Sequence, residues 1–232
     1  MLPSAQTFLF AFLGGILPAC LWLWFWLQED RLHPEPRGLI LLSFLAGMAA
    51  VVIAYPLEKF TQGFNLAPAI TIIVWAITEE LLKYGAAYRS ALRKSACDEP
   101  VDALIYLITV ALGFAALENS LFLITVIAQG DIATSIVTGN LRFIGAGLLH
   151  ILSSAMIGTA IALSYYKTRA RGIIYRLAGV VTAVVLHSIF NLFIMKGDKV
   201  NTFIVFYFVW AAIIILLVAF EKVKQISASP RA

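Results

Sequence analysis

The 232-residue chain is 61% hydrophobic and 13% charged, with a mean hydropathy of +0.91. Soluble domains run at about 45–50% apolar and about 25% charged, so this composition excludes a soluble globular domain and a disordered chain. The net charge of +4 belongs to loops between apolar segments and argues for no nucleic-acid partner.

A membrane span needs about 20 apolar residues, and the hydropathy pattern predicts seven such helices. They cover residues 5–27, 39–57, 66–88, 101–128, 142–166, 175–195 and 202–220. The expected fold class is all-α: a polytopic bundle in the lipid bilayer forming one domain over 1–225, with a short disordered tail at 226–232. Leu-Pro-Ala-Cys ending at Cys20 is a poor lipoprotein cleavage site, because the apolar run continues past it, so the first segment reads as an uncleaved span. The two cysteines, Cys20 and Cys97, offer no metal-binding or redox spacing.

Orientation follows from lysine and arginine. With seven spans, one side of the membrane receives 12 of the 17 basic residues, among them Arg89, Arg93, Lys94, Arg169, Arg171 and Arg176. The other side receives Lys59, Lys196 and Lys199, with Arg142 at its edge. Cytoplasmic loops carry the positive excess, so the expected N-terminus is outside and the C-terminus cytoplasmic.

Against this background the intramembrane ionisable residues stand out. The third segment carries Glu79, Glu80 and Lys83, the fourth Glu118 beside Asn119, the fifth His150, and the sixth His187 with Asn191. Each unpaired charge at a span centre costs roughly 2.5–3.5 kcal/mol on insertion scales, so such residues imply an internal site. Counted from the outer ends of the segments, Glu79 lies about 13 residues in, Glu118 about 11, and the histidines about 8 each. At 1.5 Å per residue that is a spread of only about 8 Å in depth. Asp102 lies about 24 Å from Glu118 along its helix; it is expected at the cytoplasmic mouth, favouring the helix N-terminus.

Spacing groups these side chains. Lys83 is i+4 from Glu79 and i+3 from Glu80 and can neutralise either. His187 and Asn191 share a face, and Ala146, His150, Ser154 and Gly158 form a small, polar stripe suited to close helix approach. The set has the parts of a hydrolase: a carboxylate as general base on water, a second carboxylate beside it, and His and Asn donors for an oxyanion. It also has the parts of a metal site, with Glu79, Glu118, His150 and His187 as possible Zn²⁺ ligands around an open position for water. Residue types and spacing leave both chemistries open.

In order and spacing, Glu79-Glu80-x-x-Lys83, Gly113-Phe114-x-x-x-Glu118-Asn119, Arg142 with His150 and Gly158, and His187-x-x-x-Asn191 together resemble the PrsW family of intramembrane proteases. Asp102 fits the acidic start of the family's corresponding helix. The wider superfamily of CAAX-processing and bacteriocin-immunity proteases carries EE-x-x-x-R, F-x-x-x-H and H-x-x-x-N. Here Lys83 comes one position earlier than that Arg, and Glu118 replaces the His. The resemblance implies a cytoplasmic-membrane peptidase that cuts a membrane-anchored protein near the outer face, with an anti-sigma factor as the substrate class. The expected roles are Glu79 as base, Glu118 as its partner on the water, His187 and Asn191 at the oxyanion, and Glu80 paired with Lys83. The loop at 129–140 is the expected gate for substrate. A proton-coupled carrier or a non-catalytic scaffold would also bury polar residues, but the chain shows no inverted repeat of the kind carriers use. Oligomeric state is not legible.

Overall fold

The computed structural model describes residues 4–31, 33–128, 145–194 and 199–226. The described residues form seven α-helices and no strand: α1 (Ala5–Glu29), α2 (Arg37–Gln62), α3 (Pro68–Ala87), α4 (Asp102–Ala128), α5 (Gly147–Leu163), α6 (Arg169–Ile194) and α7 (Lys199–Lys224). The expected gate at 129–140 and Arg142 lie outside the described residues.

Each of the seven expected segments has its helix, yet five of them qualify, among the described residues, as long and apolar enough to cross a membrane: α1, α2, α4, α6 and the Phe206–Lys224 part of α7. The two that fall short are informative. In α3 the three charged residues Glu79, Glu80 and Lys83 depress the hydropathy, and α5 is a 17-residue helix. These are the helices that carry the polar cluster: α3 turns Glu79, Glu80 and Lys83 inward and leaves Ile70, Ile73, Ile77 and Leu81 exposed, while α5 is buried along most of its length.

α4 is the axis of the bundle. Every residue from Asp102 to Ala116 is buried, and the helix packs against α1, α2, α3 and α5. A helix apolar on all sides has to be covered on all sides. Its neighbours reach it through small residues. A Cβ at Gly47 would run into the backbone carbonyl of Val110, and one at Gly113 into that of Phe44, so α2 and α4 cross backbone to backbone. At Gly158 a Cβ would stand 2.8 Å from Leu104 Cα, which makes the small-residue stripe of α5 its contact with α4. Large apolar side chains such as Leu21, Trp24, Val52, Leu177 and Ile215 remain exposed on the outer helices, as a lipid-facing surface requires.

Helix ends depart from the sequence-based boundaries in two useful ways. α2 continues past Leu57 to Gln62, placing Glu58 inside a helix rather than in a loop. α3 begins at Pro68, a residue suited to the first helical turn, and passes at its far end into a π-helical turn, Tyr88–Leu92. That turn is tied to α2 by a 3.0 Å hydrogen bond between the hydroxyls of Ser90 and Ser43.

Candidate active site

α3, α4, α5 and α6 enclose the polar side chains, each helix touching both of its neighbours in the ring. Glu80 and Lys83 are fully buried, His150 and His187 are each 2% exposed, and Glu79 is 6% exposed. Glu79, Glu80 and Lys83 are buried together because positions i, i+1 and i+4 fall within one inward face of α3.

The hydrogen bonds assign distinct duties. Lys83 Nζ donates to Glu80 Oε1 at 2.6 Å, and the same oxygen lies 2.7 Å from His187 Nδ1. Glu80 thus takes two donors on Oε1, while its Oε2, like Oε2 of Glu79, is buried with no hydrogen-bond partner among the described residues. Lys83 Nζ also stands 3.1 Å from His150 Nδ1. An ammonium has only donors, so His150 Nδ1 accepts, its hydrogen is on Nε2, and Nε2–H donates to Glu118 Oε2 at 3.1 Å. By the same logic His187 carries its hydrogen on Nδ1, toward Glu80. Its Nε2 then presents a lone pair, 3.7 Å from Glu79 Oε2.

Phe114 forms the floor. Its ring centroid is 5.2 Å from Lys83 Nζ and 5.3 Å from the His150 ring, and the His150 and His187 rings meet edge to face at 5.3 Å. The polar cluster thus rests on an apolar plate that restricts its rotamers.

The expected residues converge unequally. Glu79, His150 and His187 each offer one ligand atom within 4.8 Å of the others. Glu118 is joined to that group through His150 rather than standing within it. Asn191 lies one turn along α6 from His187 and is half-buried. Asp102 is remote from the cluster, at the other end of α4. Its Oδ2 accepts the backbone N–H groups of Asp98 and Glu99 at 2.8 and 2.7 Å, so it pins the preceding loop rather than simply favouring the helix N-terminus.

Glu58 is the residue that sequence reading missed. It lines, with Glu79, Glu118, Tyr55, Leu121 and Thr125, a cavity of about 260 Å³ between α2 and α4. Its position just after Pro56-Leu57 marks it as loop in a hydropathy profile; only the continuation of α2 to Gln62 turns it toward the site. The partly exposed Glu118 side chain (32%) marks this cavity as the approach to the cluster.

The donor set suits a transition metal. Two imidazoles and a carboxylate are a familiar ligand set for Zn²⁺, and Glu80 holds His187 Nδ1 in the manner of a carboxylate that orients a ligating imidazole. Glu79 Oε2 is buried with no hydrogen-bond partner among the described residues, and it faces the bare nitrogen of His187. The residues therefore fit a metal at Glu79 and His187. His150 joins them if its Nε2 exchanges Glu118 for the ion.

A family model described as "PrsW family intramembrane metalloprotease" matches residues 35–218. The chain is similar to the protease PrsW of Geobacillus kaustophilus, at 26% identity over 91% of this chain and 90% of the relative. The protease PrsW of Halalkalibacterium halodurans is 25% identical over 91% of this chain and 94% of its own length. A third, from Bacillus subtilis, is 33% identical over 115 residues, covering 48% of this chain and 52% of that one. No solved structure matches the chain.

Proposed function

The chain belongs to the PrsW family of membrane proteases, and from that membership we propose that it is an endopeptidase that hydrolyses a peptide bond of a membrane-anchored protein with water activated at Glu79. The observation that carries the reading is the unpartnered Glu79 Oε2 facing the lone pair of His187 Nε2 across 3.7 Å. Two acceptors held that close in a buried site call for a proton or a cation between them.

Each residue then has a role. Glu79 takes a proton from water and later delivers it to the leaving amine, while Glu118, held by His150, orients the same water. Glu80 and Lys83 hold His187 and His150 in place; they position the site and do not touch substrate. Asn191, one turn beyond His187 on α6, is assigned to the oxyanion. In a metal-dependent form Glu79 and His187, with His150 once its Nε2 gives up Glu118, would instead hold a Zn²⁺, which when bound polarises the water and the scissile carbonyl, and the proton transfer would fall to Glu118. Substrate would approach through the cavity between α2 and α4, past Glu58. The Lys/Arg asymmetry puts that cavity toward the outer face, with the C-terminus in the cytoplasm. The motif resemblance makes an anti-sigma factor the substrate class to test first.

The test is cleavage of a single-span substrate by the full chain in liposomes. Wild type should cut, Glu79→Gln should not, and both should elute from a sizing column alike. Equal cleavage by the two proteins would remove the mechanism. Ion-coupled flux without cleavage would instead favour a carrier.

A further inference from the structure

We infer that the chain holds a second cation site, for a hard divalent ion such as Ca²⁺ or Mg²⁺, where the end of α1 and the α1–α2 connection meet the start of α4. Asp30, Glu35 and Asp102 each bring one carboxylate oxygen within 4.8 Å of the others. Clustered acids alone would not make a site. What singles this one out is Asp30, 6% exposed, whose Oδ2 is buried with no hydrogen-bond partner among the described residues.

The surroundings explain why that oxygen lacks a partner within the protein. Asp30 closes the end of α1, where the chain turns toward Pro34, Glu35 and Pro36. Asp102 Oδ2 is spent on the N–H groups of Asp98 and Glu99, and Glu35 Oε2 receives the hydroxyl of Tyr106, one turn into α4. One oxygen of each of these two carboxylates is thus fixed, and the two side chains are also hydrogen-bonded to each other, so a cation would take the place of the proton they share. The nearest basic groups are engaged elsewhere. Lys224 pairs with Glu29 at 2.9 Å and Glu221 at 2.8 Å, and His33 with Glu99 at 3.0 Å. Among the described residues no lysine or arginine pairs with Asp30, Glu35 or Asp102.

Three carboxylate oxygens with no nitrogen or sulfur select a hard cation over zinc. Asp102 is 16 positions from Glu118 on α4, about 24 Å along the axis, so this site is distinct from the Glu79–His187 centre. An ion there would fasten α1 and the start of α2 to the base of the central helix. Its role would be to hold the bundle in register at the end opposite the active site.

Tb³⁺ is a suitable probe, since it occupies oxygen-donor calcium sites and luminesces when excited through a nearby aromatic ring, here Tyr106 or Trp26. The full chain in a non-ionic detergent should show one saturable Tb³⁺ site, displaced by Ca²⁺ or Mg²⁺. Asp30→Asn and Glu35→Gln should each weaken it roughly 10–100-fold, while Glu79→Gln and His187→Ala should leave it intact. Chelator-treated wild type should also unfold at a higher temperature when Ca²⁺ is added, a readout independent of any variant. Absence of a saturable site in wild type would overturn the proposal, leaving a shared proton as the occupant. Loss of the signal in His187→Ala but not in Asp30→Asn would also overturn it, and neither result bears on cleavage at Glu79.

Discussion

His187 is held from two sides by adjacent carboxylates of one helix, with Nδ1 2.7 Å from Glu80 Oε1 and Nε2 3.7 Å from Glu79 Oε2. Consecutive residues point about 100° apart on a helix, so an imidazole between them can meet one with each nitrogen. The nearer contact fixes the hydrogen on Nδ1 and leaves Nε2 facing an acceptor. Whatever fills that gap decides between the metal-dependent and metal-free forms of the reaction.

Metal content is therefore the first prediction. Protein purified without chelator should carry about one Zn²⁺ per chain, measured by elemental analysis, and should lose most of it in His187→Ala and in Glu79→Gln. Chelation should stop cleavage and added zinc should restore it. Full cleavage by metal-free protein would mean that a proton bridges the two residues.

The paired glutamates should separate by phenotype. Glu79→Gln should drop cleavage to background with a smaller effect on unfolding, because Glu79 Oε2 has no hydrogen-bond donor to lose. Glu80→Gln leaves Lys83 without its buried partner, a change that typically costs about 3–5 kcal/mol, and should unfold at a markedly lower temperature. The double variant Glu80→Gln with Lys83→Met should recover part of that loss, because no buried charge is then left uncompensated. Thermal unfolding in detergent measures all three.

Glu118 and Glu58 should differ in degree. Glu118 is bonded to His150 and faces the cavity, so Glu118→Gln should lower the single-turnover rate by about 10²–10⁴ with substrate binding little changed. Glu58 lines the approach; Glu58→Gln should alter KM more than kcat. The reverse pattern would exchange their roles.

Much of this was legible in the sequence, because charge in an apolar segment is a strong physical signal. Glu79, His150 and His187 stand out by their insertion cost, and their common depth follows from helical rise. What sequence could not give is direction around each helix. The i+4 and i+3 options left Lys83 open to either glutamate, and the structure commits it to Glu80. Glu58 was lost because hydropathy ended α2 at Leu57, although the backbone continues to Gln62. α3 falls short of the hydropathy of a membrane span because its inward face carries Glu79, Glu80 and Lys83, while its outer face is as apolar as that of the other helices.

The cluster at the start of α4 predicts how stability varies with pH. Burial, and then the neighbouring Asp102 carboxylate, push Asp30 from its ordinary 3.8 up to about 7. Burial likewise raises Glu35 from 4.5 to about 8, with the Tyr106 hydroxyl opposing and Asp102 adding to the rise. An acid whose pKa is raised on folding keeps its proton in the folded state after the unfolded chain has lost it. Between about pH 4 and 8 the folded state then binds more protons, and stability falls as pH rises. In chelator, the unfolding temperature of wild type should decline across that window and level off above it. Asp30→Asn, which cannot ionise, should flatten the decline. Saturating Ca²⁺ should oppose it in wild type by replacing the proton, and should have little effect in Asp30→Asn. Unfolding temperatures at pH 5 and pH 8, each with and without Ca²⁺, suffice; a wild-type curve that rises with pH would show that these carboxyls are ionised and already compensated by the protein itself.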